Sequence, residues 1–500
     1  MGPLPAWGLQ WRGPREQALP VLLAVGLAGT ILFTSSMATS WSWATAAALA
    51  AVVVGLAVYL ARPGIAIALV LLPFMVLDEN TPDVVPQLQG VANLVYGTNV
   101  GGFLAVRDVL LGLATFAAIA WFPAAPGRDR RLLGRVSWVF LVVAACLAAA
   151  MLTSFRIATD PGSAMVGLRP FIDCVLAAFI VWRVLRSMSL EQAQRLILGA
   201  SLVVGGLLVL IAIGRVTGVL GTAVEIDGVP ITFFDSAGPY VMLCCTGLWA
   251  VTLMERRMSG RRPVGMSLLV FAGLLVAIAS QRRSILLGYA AAAMALLVFN
   301  AVRSRGGLVR SAKIFAVVAG ALVVTLVLVS IAVPGARDLL AERATTALSA
   351  VQESNSSDSS LQYRVDESDA VYALAGRHLW TGIGPTAGFV PVNSIFLPTD
   401  GTYTHNTYYA MPLRYGLWGI MALVVLVLGL LLRVARGLYR DKPRQAWILG
   451  AALIAILPAI ATAAFLTQTA RWGVVVGVIA GAFDVLTDAD RDGDTVDQAA

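Results

Sequence analysis

The stretch "LILGASLVVGGLLVLIAI", Leu196 to Ile213, decides the fold class, because it has no charged side chain and nearly the length of a membrane-spanning helix. Similar apolar runs recur along the 500-residue chain. The composition is 58% hydrophobic and 13% charged, with a mean hydropathy of +0.82. These values lie outside the range of soluble globular domains. The sequence therefore predicts an all-α polytopic membrane protein.

Apolar windows divide the chain into about fourteen predicted transmembrane helices. Residues 1–333 contain helices 1–11, residues 334–411 form a long loop, residues 412–486 contain helices 12–14, and residues 487–500 form an acidic tail. The predicted helices lie near residues 18–37, 43–61, 64–78, 108–122, 136–153, 169–186, 196–213, 238–254, 264–280, 284–302, 314–333, 412–432, 446–465 and 473–486.

Basic residues predict the orientation of these helices. They fall in short clusters between apolar runs, such as "GRDRRLLGR" and "ERRMSGRR". Because cytoplasmic loops are enriched in Lys and Arg, the clusters predict cytoplasmic N- and C-termini. This orientation also accounts for the formal charge of +8, so we expect no nucleic-acid partner. The loops predicted to face outward are 79–107, 154–168, 214–237, 280–283, 334–411 and 466–472.

The long outward loop has internal structure of its own. Its first part, "PGARDLLAERATTALSAVQ", spaces apolar residues as an amphipathic surface helix does. After the polar break "ESNSSDSS", the stretch "LQYRVDESDAVYALAGRHLW" returns to helical periodicity. Glycines and a proline in "TGIGPTAGF" end that second helix. The sequence thus predicts an extracytoplasmic loop with amphipathic helices before the span at about 412.

Two adjacent arginines, Arg282 and Arg283, lie in the predicted outward turn "SQRRSILLG". Arginine near the membrane is costly, so such residues have a partner or a function, or they extend to the lipid headgroups. Both lysines of the chain, Lys313 and Lys442, lie in predicted cytoplasmic loops, so the outward cations are all arginines. The planar guanidinium matches two phosphate oxygens at once. This pattern permits diphosphate binding without establishing it.

One of the two histidines, His405, lies beside Asn406 at the end of the long loop. An imidazole titrates near neutral pH, so His405 could accept a proton from a sugar hydroxyl. Alternatively, it is an interfacial residue bonded to the loop backbone. Gly416 and Gly419 follow on the next span, where small residues allow close packing. The other histidine, His378, reads as an interfacial helix residue.

The chain shows no convincing metal or cofactor motif. The four cysteines lie inside apolar runs, and the two histidines are too far apart in sequence for a zinc motif. One carboxylate pair, Asp78 and Glu79 in "LDEN", could hold a divalent cation in an outward loop, or could be a solvated turn. We therefore expect no cofactor and no metal.

The segment "HNTYYAMPLRYGLWG", His405 to Gly419, resembles the signature of the O-antigen ligase and polymerase superfamily of bacterial envelope enzymes. "RRSIL" and "RSILL" both fit that family's motif of Arg, three residues and Leu on an outward turn. Between these motifs, an Arg-led helix beginning near Arg364 and a Gly-x-Gly turn, Gly382 to Gly384, are similar to the family's stretch. The resemblance is specific over about 270–425.

The resemblance implies a multi-pass GT-C-type glycosyltransferase of the cytoplasmic membrane that needs no metal. Its donor would be an undecaprenyl diphosphate-linked glycan, used on the outer face. Arg283 or Arg282 would hold the diphosphate, with Arg283 favoured because Ser280 and Ser284 flank it. His405 would activate the acceptor hydroxyl or bind the leaving phosphate. Arg169, in "GLRPFID", and Arg364 are further candidates for phosphate contacts, although Arg364 could instead pair with a carboxylate on its own helix.

Three alternatives stay open at this level. Within the same chemistry, the acceptor could belong to a growing polysaccharide, to a lipid or cell-wall molecule, or to a protein. A metal-dependent GT-C transferase would use Asp78 and Glu79 instead. A transporter or flippase for lipid-linked glycans is the third, but no paired sequence repeat of the kind found in transporters is visible.

Overall fold

The computed structural model describes much of the chain between residues 63 and 488. The described residues are 63–79, 95–96, 99–100, 104–122, 135–154, 161–220, 225–226, 229–230, 235–258, 264–280, 282–303, 309, 320, 359–385, 406–439, 442–461 and 469–488. The predicted spans at 18–37 and 43–61, all of the span at 314–333 except residue 320, the first part of the long loop and nearly all of the acidic tail lie outside these ranges.

Within these ranges the protein is almost entirely helical. The helices are α1 (Pro63–Val76), α2 (Val106–Trp121), α3 (Arg135–Ser154), α4 (Pro161–Arg186), α5 (Leu190–Val216), α6 (Ala237–Met258), α7 (Val264–Ala279), α8 (Arg283–Arg303), α9 (Ser359–Arg377), α10 (Thr407–Gly437), α11 (Arg444–Ala459) and α12 (Ala470–Thr487). Two antiparallel hairpins of two-residue strands are β1 (Asn99–Val100) with β2 (Leu104–Ala105), and β3 (Glu225–Ile226) with β4 (Val229–Pro230).

Several of the described helices have the length and composition of membrane spans. Five are long and apolar enough to cross a bilayer, namely Leu190–Val216, Ala237–Glu255, Ser284–Arg303, Thr407–Gly437 and Ala470–Thr487. Many large apolar side chains on their outer surfaces are exposed, among them Leu210 and Leu428. A soluble monomer rarely exposes so much apolar surface. The helices therefore support the predicted membrane protein.

Polar groups at the two ends of the bundle show how the helices run. At one end, Asp78 follows α1, Arg215 lies at the end of α5, and Arg471 lies at the start of α12; these three form ion pairs. At the opposite end, Arg433 near the end of α10 pairs with Asp484 near the end of α12. Helices α1 and α5 therefore end where α12 begins, and α10 and α12 end together at the opposite end.

Helices α4 and α12 pack closely and run parallel. Three glycines spaced four residues apart on α12, Gly473, Gly477 and Gly481, lie against α4. A Cβ on each would overlap the carbonyl oxygen of Pro170, Cys174 and Ala178, respectively. Small residues at this spacing let two backbones approach closely inside a membrane. The first glycine of the stripe, Gly473, places the start of α12 beside Pro170 of α4.

Side chains cap the starts of α5 and α10. Ser189 caps α5, where its hydroxyl accepts from the Gln192 N–H at 3.2 Å and the Gln192 amide oxygen accepts from the Ser189 N–H at 3.0 Å. Asn406 caps α10 by accepting from the Tyr408 N–H at 2.9 Å. The second amphipathic helix predicted in the long loop is present as α9. Helix α10 begins at Thr407, ahead of the predicted span at 412, because the Asn406 cap starts it earlier.

Candidate functional site

A buried network of ion pairs joins the helices at one end of the bundle. We call this end the network end and define it by Asp78, Arg107, Arg215, Asp235 and Arg471. Arg471, whose side chain is 0% exposed, is its centre: Nη1 lies 2.5 Å from Asp78 Oδ1 and 2.6 Å from Asp235 Oδ2. Arg215 Nη2 lies 2.8 Å from the other oxygen of Asp78. The network therefore ties α12 to the ends of α1, α5 and α6.

A second arm of the network leads toward the surface. Glu79 Oε2 accepts from the Arg471 backbone N–H at 2.9 Å, and Glu79 Oε1 lies 3.0 Å from Arg107 Nη1. Arg107 and Arg169 both face Asp108, with Nε to carboxylate distances of 3.8 and 3.5 Å. Arg169 thus joins the network from α4, eight residues after that helix begins at Pro161.

Burial governs the protonation of the loop carboxylates in the network. It raises the pKa of the Glu79 carboxyl above its usual range, and Arg107 opposes that rise without cancelling it. Burial likewise raises the pKa of the Asp235 carboxyl, against the opposing effect of Arg471. Both carboxylates therefore depend on their arginine partners for the charged form.

This geometry bears on the predicted carboxylate pair Asp78 and Glu79. The interpretation of the pair as a solvated turn is wrong, because Asp78 is buried and both residues pair with arginines. All four carboxylate oxygens accept from a guanidinium or an arginine backbone N–H. A divalent cation would have to displace those donors, so the donor set does not fit a metal. In the described part of the chain, no three His, Cys, Asp or Glu side chains group as metal ligands.

The predicted arginine turn lies at the same end of the bundle. Arg283 is the first residue of α8, and the Arg282 carbonyl accepts from the N–H groups of Ile285 and Leu286 at 3.1 and 3.3 Å. Five residues into α8, a Cβ on Gly288 would lie 2.5 Å from the Ala455 carbonyl oxygen, near the end of α11. The turn therefore lies beside the last turn of α11. The Arg283 side chain lies outside the described residues.

The start of α10 meets the same turn of α11. The Thr407 N–H donates to the Ile460 carbonyl at 2.9 Å, and the Tyr408 hydroxyl donates to the Leu457 carbonyl at 2.8 Å. Asn406, the cap of α10, immediately precedes these contacts. His405 itself lies outside the described residues, but its chain neighbour is held at the end of α11 that also contacts α8.

Helix α8 connects this region to the network. The Tyr289 hydroxyl donates to the Tyr240 carbonyl at 2.9 Å, and the Tyr240 ring packs on Trp472 with centroids 4.9 Å apart. Trp472 follows Arg471 directly in α12. The arginine turn, the Asn406 cap and the buried ion pairs are therefore gathered at one end of the protein.

Helix α10 is broken at Gly416, which has φ +57° and ψ −137°. The carbonyls of Leu413 and Arg414, just before the break, accept from the N–H groups of Ile383 and Gly384 at 2.8 and 3.1 Å. Broken helices leave such groups exposed, so in a membrane protein another segment has to satisfy them. Here the Gly-x-Gly turn does so.

The segment Leu379–Pro385 and the break form one interlocked unit, which we call the clasp. The Leu417 N–H donates to the Leu379 carbonyl at 2.7 Å, and Arg414 Nη1 donates to the Pro385 carbonyl at 2.7 Å. Gly382 has φ +68°, which favours glycine. The sequence suggested only packing for Gly416, whereas the structure shows that it ends one helical segment and starts another.

The clasp lies against α4 close to the network. A Cβ on Gly167 would overlap the Tyr415 hydroxyl and would lie 3.6 Å from Pro385 Cβ. Arg169 is two residues further along α4. Gly419 contributes in a different way, since a Cβ there would overlap the Met411 carbonyl across the break. Arg364 lies in α9, which packs on the clasp through Val371, Ala375, Ile383 and Leu413, but its side chain lies outside the described residues.

The helices around the clasp also match a known family. Residues 268–424 match the family model described as O-Antigen ligase. We call this part of the chain the O-antigen ligase domain, after the family that it resembles. The match confirms the resemblance to the O-antigen ligase and polymerase superfamily over nearly the same residues, 268–424 against about 270–425.

The O-antigen ligase domain covers most of α7, all of α8 and α9, the clasp and the first half of α10. It supports transfer of glycans of the O-antigen ligase or polymerase type, with lipid-linked polysaccharide and an acceptor as substrates in general terms. The ion-pair network lies outside the matched residues. No curated protein matches the chain.

Sequence reasoning missed the core of the network. Arg107, Arg215, Asp235 and Arg471 were not singled out, and only Arg169, Asp78 and Glu79 among its members were candidates. A signal was present, because each missed residue lies at the edge of an apolar run, where an ionisable group needs a partner. The sequence did not show which residues pair.

Proposed function

We propose that the protein is a glycosyltransferase that moves a glycan from an undecaprenyl diphosphate-linked donor to a hydroxyl acceptor. The reaction would take place on the outer face of the cytoplasmic membrane, at the network end. Its product would be a polysaccharide extended by a polymerase or attached by a ligase. The O-antigen ligase domain supports this class of reaction.

One observation carries the proposal. The last turn of α11 contacts α8 near the arginine turn and α10 beside the Asn406 cap. The described parts of the two family motifs, separated by about 120 residues of chain, therefore lie beside the same turn of α11. A glycosyl transfer site needs cations for the leaving diphosphate and a proton acceptor for the incoming hydroxyl, and this convergence supplies candidates for both.

The proposed reaction balances with these groups. The acceptor hydroxyl oxygen bonds to the anomeric carbon, and the bond from that carbon to the diphosphate oxygen breaks. The lipid diphosphate leaves with the electron pair, where Arg283 or Arg282 stabilises its growing negative charge. The hydroxyl proton passes to His405, or to the leaving phosphate if His405 contacts that phosphate instead.

Arg169 is the further candidate for a phosphate contact. Its side chain is 14% exposed, whereas Arg471 is 0% exposed and Arg215 is 3% exposed. Therefore only the second arm of the network, which includes Arg169, can contact a ligand without unfolding of the buried centre. Arg471 and Arg215 serve as structural cations that hold the helix ends in place.

The test compares variants in membranes or in purified protein. We expect His405→Ala and Arg283→Ala each to abolish transfer while the protein still accumulates. Arg195→Ala is the matched control, since Arg195 is 73% exposed and forms an ion pair with Glu191 one helical turn away. Normal transfer by both site variants would overturn the proposed site. Unchanged transfer after chelation is also expected, and its loss would favour the metal-dependent alternative.

The acceptor class needs a separate experiment in the host. Deletion of the gene would leave unpolymerised lipid-linked units if the protein is a polymerase. It would leave full-length, unattached polymer if the protein is a ligase. Full-length polymer attached normally would contradict both roles.

A further inference from the structure

Asp108 lies where two arginines from two helices converge. It is in the first turn of α2, and its Oδ2 accepts from the Ala105 N–H at 2.8 Å. Arg169 of α4 approaches the same oxygen with Nε at 3.5 Å, and Arg107 Nε lies 3.8 Å from Oδ1. Both arginine contacts are longer than a good hydrogen bond. The carboxylate is thus shared between two cations without being tightly bound by either.

Arg107 is held in position by hydrogen bonds from Nη1, whereas its Nε has no close acceptor among the described residues. It is 8% exposed, and Nη1 donates to Glu79 Oε1 at 3.0 Å and to the Tyr96 carbonyl at 3.4 Å. Its Nε is buried and donates no hydrogen bond within the described residues. A buried donor left without an acceptor costs free energy. An anion that approached Nε more closely than Asp108 does would recover that cost.

Asp108 and Arg169 are partly exposed members of the network. Asp108 and Arg169 have 16% and 14% of their side chains exposed. Behind them, Glu79 and Arg471 anchor Arg107 to the buried centre. Arg107 is therefore held in place by buried partners, while Arg169 beside it is partly exposed. This arrangement suits recognition of an anion.

We infer that Arg107 and Arg169 form a phosphate-binding site, and that the Asp108 carboxylate occupies this site when no phosphate is bound. A phosphate of the lipid-linked donor displaces Asp108 and bonds both Nε groups. The inference rests on the proposed function for the identity of the donor, while the phosphate chemistry rests on the two arginines. A phospholipid headgroup offers the same chemistry, and the experiment below distinguishes the two sources.

Phosphate suits this position better than the resident carboxylate. Asp108 Oδ2 is already occupied by the Ala105 N–H that caps α2, so the carboxylate cannot turn fully toward the arginines. A phosphate group carries more oxygens and more charge, and it is not tied to the α2 backbone. Asp108 consequently acts as a competitor that lowers the positive charge of the site until the donor arrives.

The central variant is Asp108→Asn, which keeps the shape and the capping oxygen but removes the charge. Inorganic diphosphate, titrated into the purified full chain, is expected to bind roughly two- to fivefold more tightly than to the wild type, the range that a partly exposed ion pair is worth. Arg107→Lys keeps the charge beside Glu79 but loses Nε, and we expect at least a threefold weaker affinity. Glu191→Gln, which removes an exposed carboxylate at the opposite end, is the control and should bind as the wild type does.

Donor kinetics distinguish the source of the phosphate. In nanodiscs of phosphatidylcholine, Asp108→Asn should lower the KM for the lipid-linked donor and leave the KM for the acceptor unchanged. Addition of phosphatidylglycerol should not be needed for this effect. An effect seen only with phosphatidylglycerol would assign the site to a lipid headgroup and overturn the donor assignment.

The diphosphate titration separates this inference from the proposed function. Unchanged or weaker binding by Asp108→Asn would overturn the inference even in an active enzyme. Normal transfer by His405→Ala and Arg283→Ala would overturn the proposed transfer site instead. Tighter diphosphate binding by Asp108→Asn would then still support a phosphate site at Arg107 and Arg169.

Discussion

Replacing Gly416 by alanine tests whether the broken helix and the clasp form one unit. The φ of +57° and ψ of −137° at Gly416 are strained for any residue with a Cβ, at a cost of about 1–3 kcal/mol. The added Cβ would also lie 2.5 Å from the Leu379 carbonyl oxygen and 2.7 Å from the Gly382 nitrogen. Both are backbone atoms, so no side-chain rotation relieves the overlap.

The protein can escape this overlap by opening the clasp. Opening breaks the backbone hydrogen bonds from Ile383, Gly384 and Leu417, each worth about 0.5–1.5 kcal/mol. The expected loss of stability is therefore about 2–4 kcal/mol, and it is local to the clasp. We expect Gly416→Ala to insert and accumulate, to lose transfer activity, and to be cleaved by protease within Leu379–Pro385.

The assay combines limited proteolysis, thermal unfolding in detergent and glycan transfer. Gly206→Ala is the matched control, because Gly206 lies in α5 and, among the described residues beyond its own helix, no heavy atom lies within 4 Å of the added Cβ. The control should retain wild-type protease resistance and activity. A Gly416→Ala protein with an intact clasp and normal transfer would refute the argument, since the strain would then be absorbed elsewhere.

Two further predictions concern the network. Arg471→Met leaves Asp78 and Asp235 buried without their central cation, so we expect the free energy of unfolding to fall by about 3–5 kcal/mol. The measurements are the thermal midpoint and the accumulation of the protein, which should both be lower. An Arg471→Met protein as stable as Arg195→Met would contradict the central role of Arg471. Because burial raises the pKa of Glu79, the folded state holds its proton more tightly than the unfolded state, so stability should fall as pH rises from the ordinary value of 4.5 through the raised pKa. Glu79→Gln should flatten that part of the profile of thermal midpoint against pH, and an unchanged slope would contradict it.

Local patterns in the sequence predicted much of the fold. Apolar runs indicated the helices, and helical spacing in the long loop indicated α9 before the structure placed it at Ser359–Arg377. The Gly-x-Gly turn was predicted from Gly382 and Gly384, which both have positive φ. Such features depend on neighbouring residues, which is why one sequence is enough to find them.

The contacts of the candidate site could not be predicted in the same way. Arg169 was a candidate, but its partner Asp108 lies on a different helix. The positive charge of Arg169 does not indicate which carboxylate it pairs with. The stripe of glycines on α12 was visible as "GVVVGVIAG", yet nothing in its spacing showed that α4 would lie against it. Pairings of this kind follow from tertiary packing, which brings distant segments together.

The same distance in sequence has a consequence for biosynthesis. Asp78 and Arg471 are separated by 393 residues, so a ribosome that adds about 5–20 residues per second makes the carboxylate roughly 20–80 s before its guanidinium partner. Of its two arginine partners, Asp78 can therefore pair first with Arg215, 137 residues after it, and with Arg471 only once α12 has been made. The arrival of α12 completes the assembly, so early insertion and final folding are separate steps in the maturation of this protein.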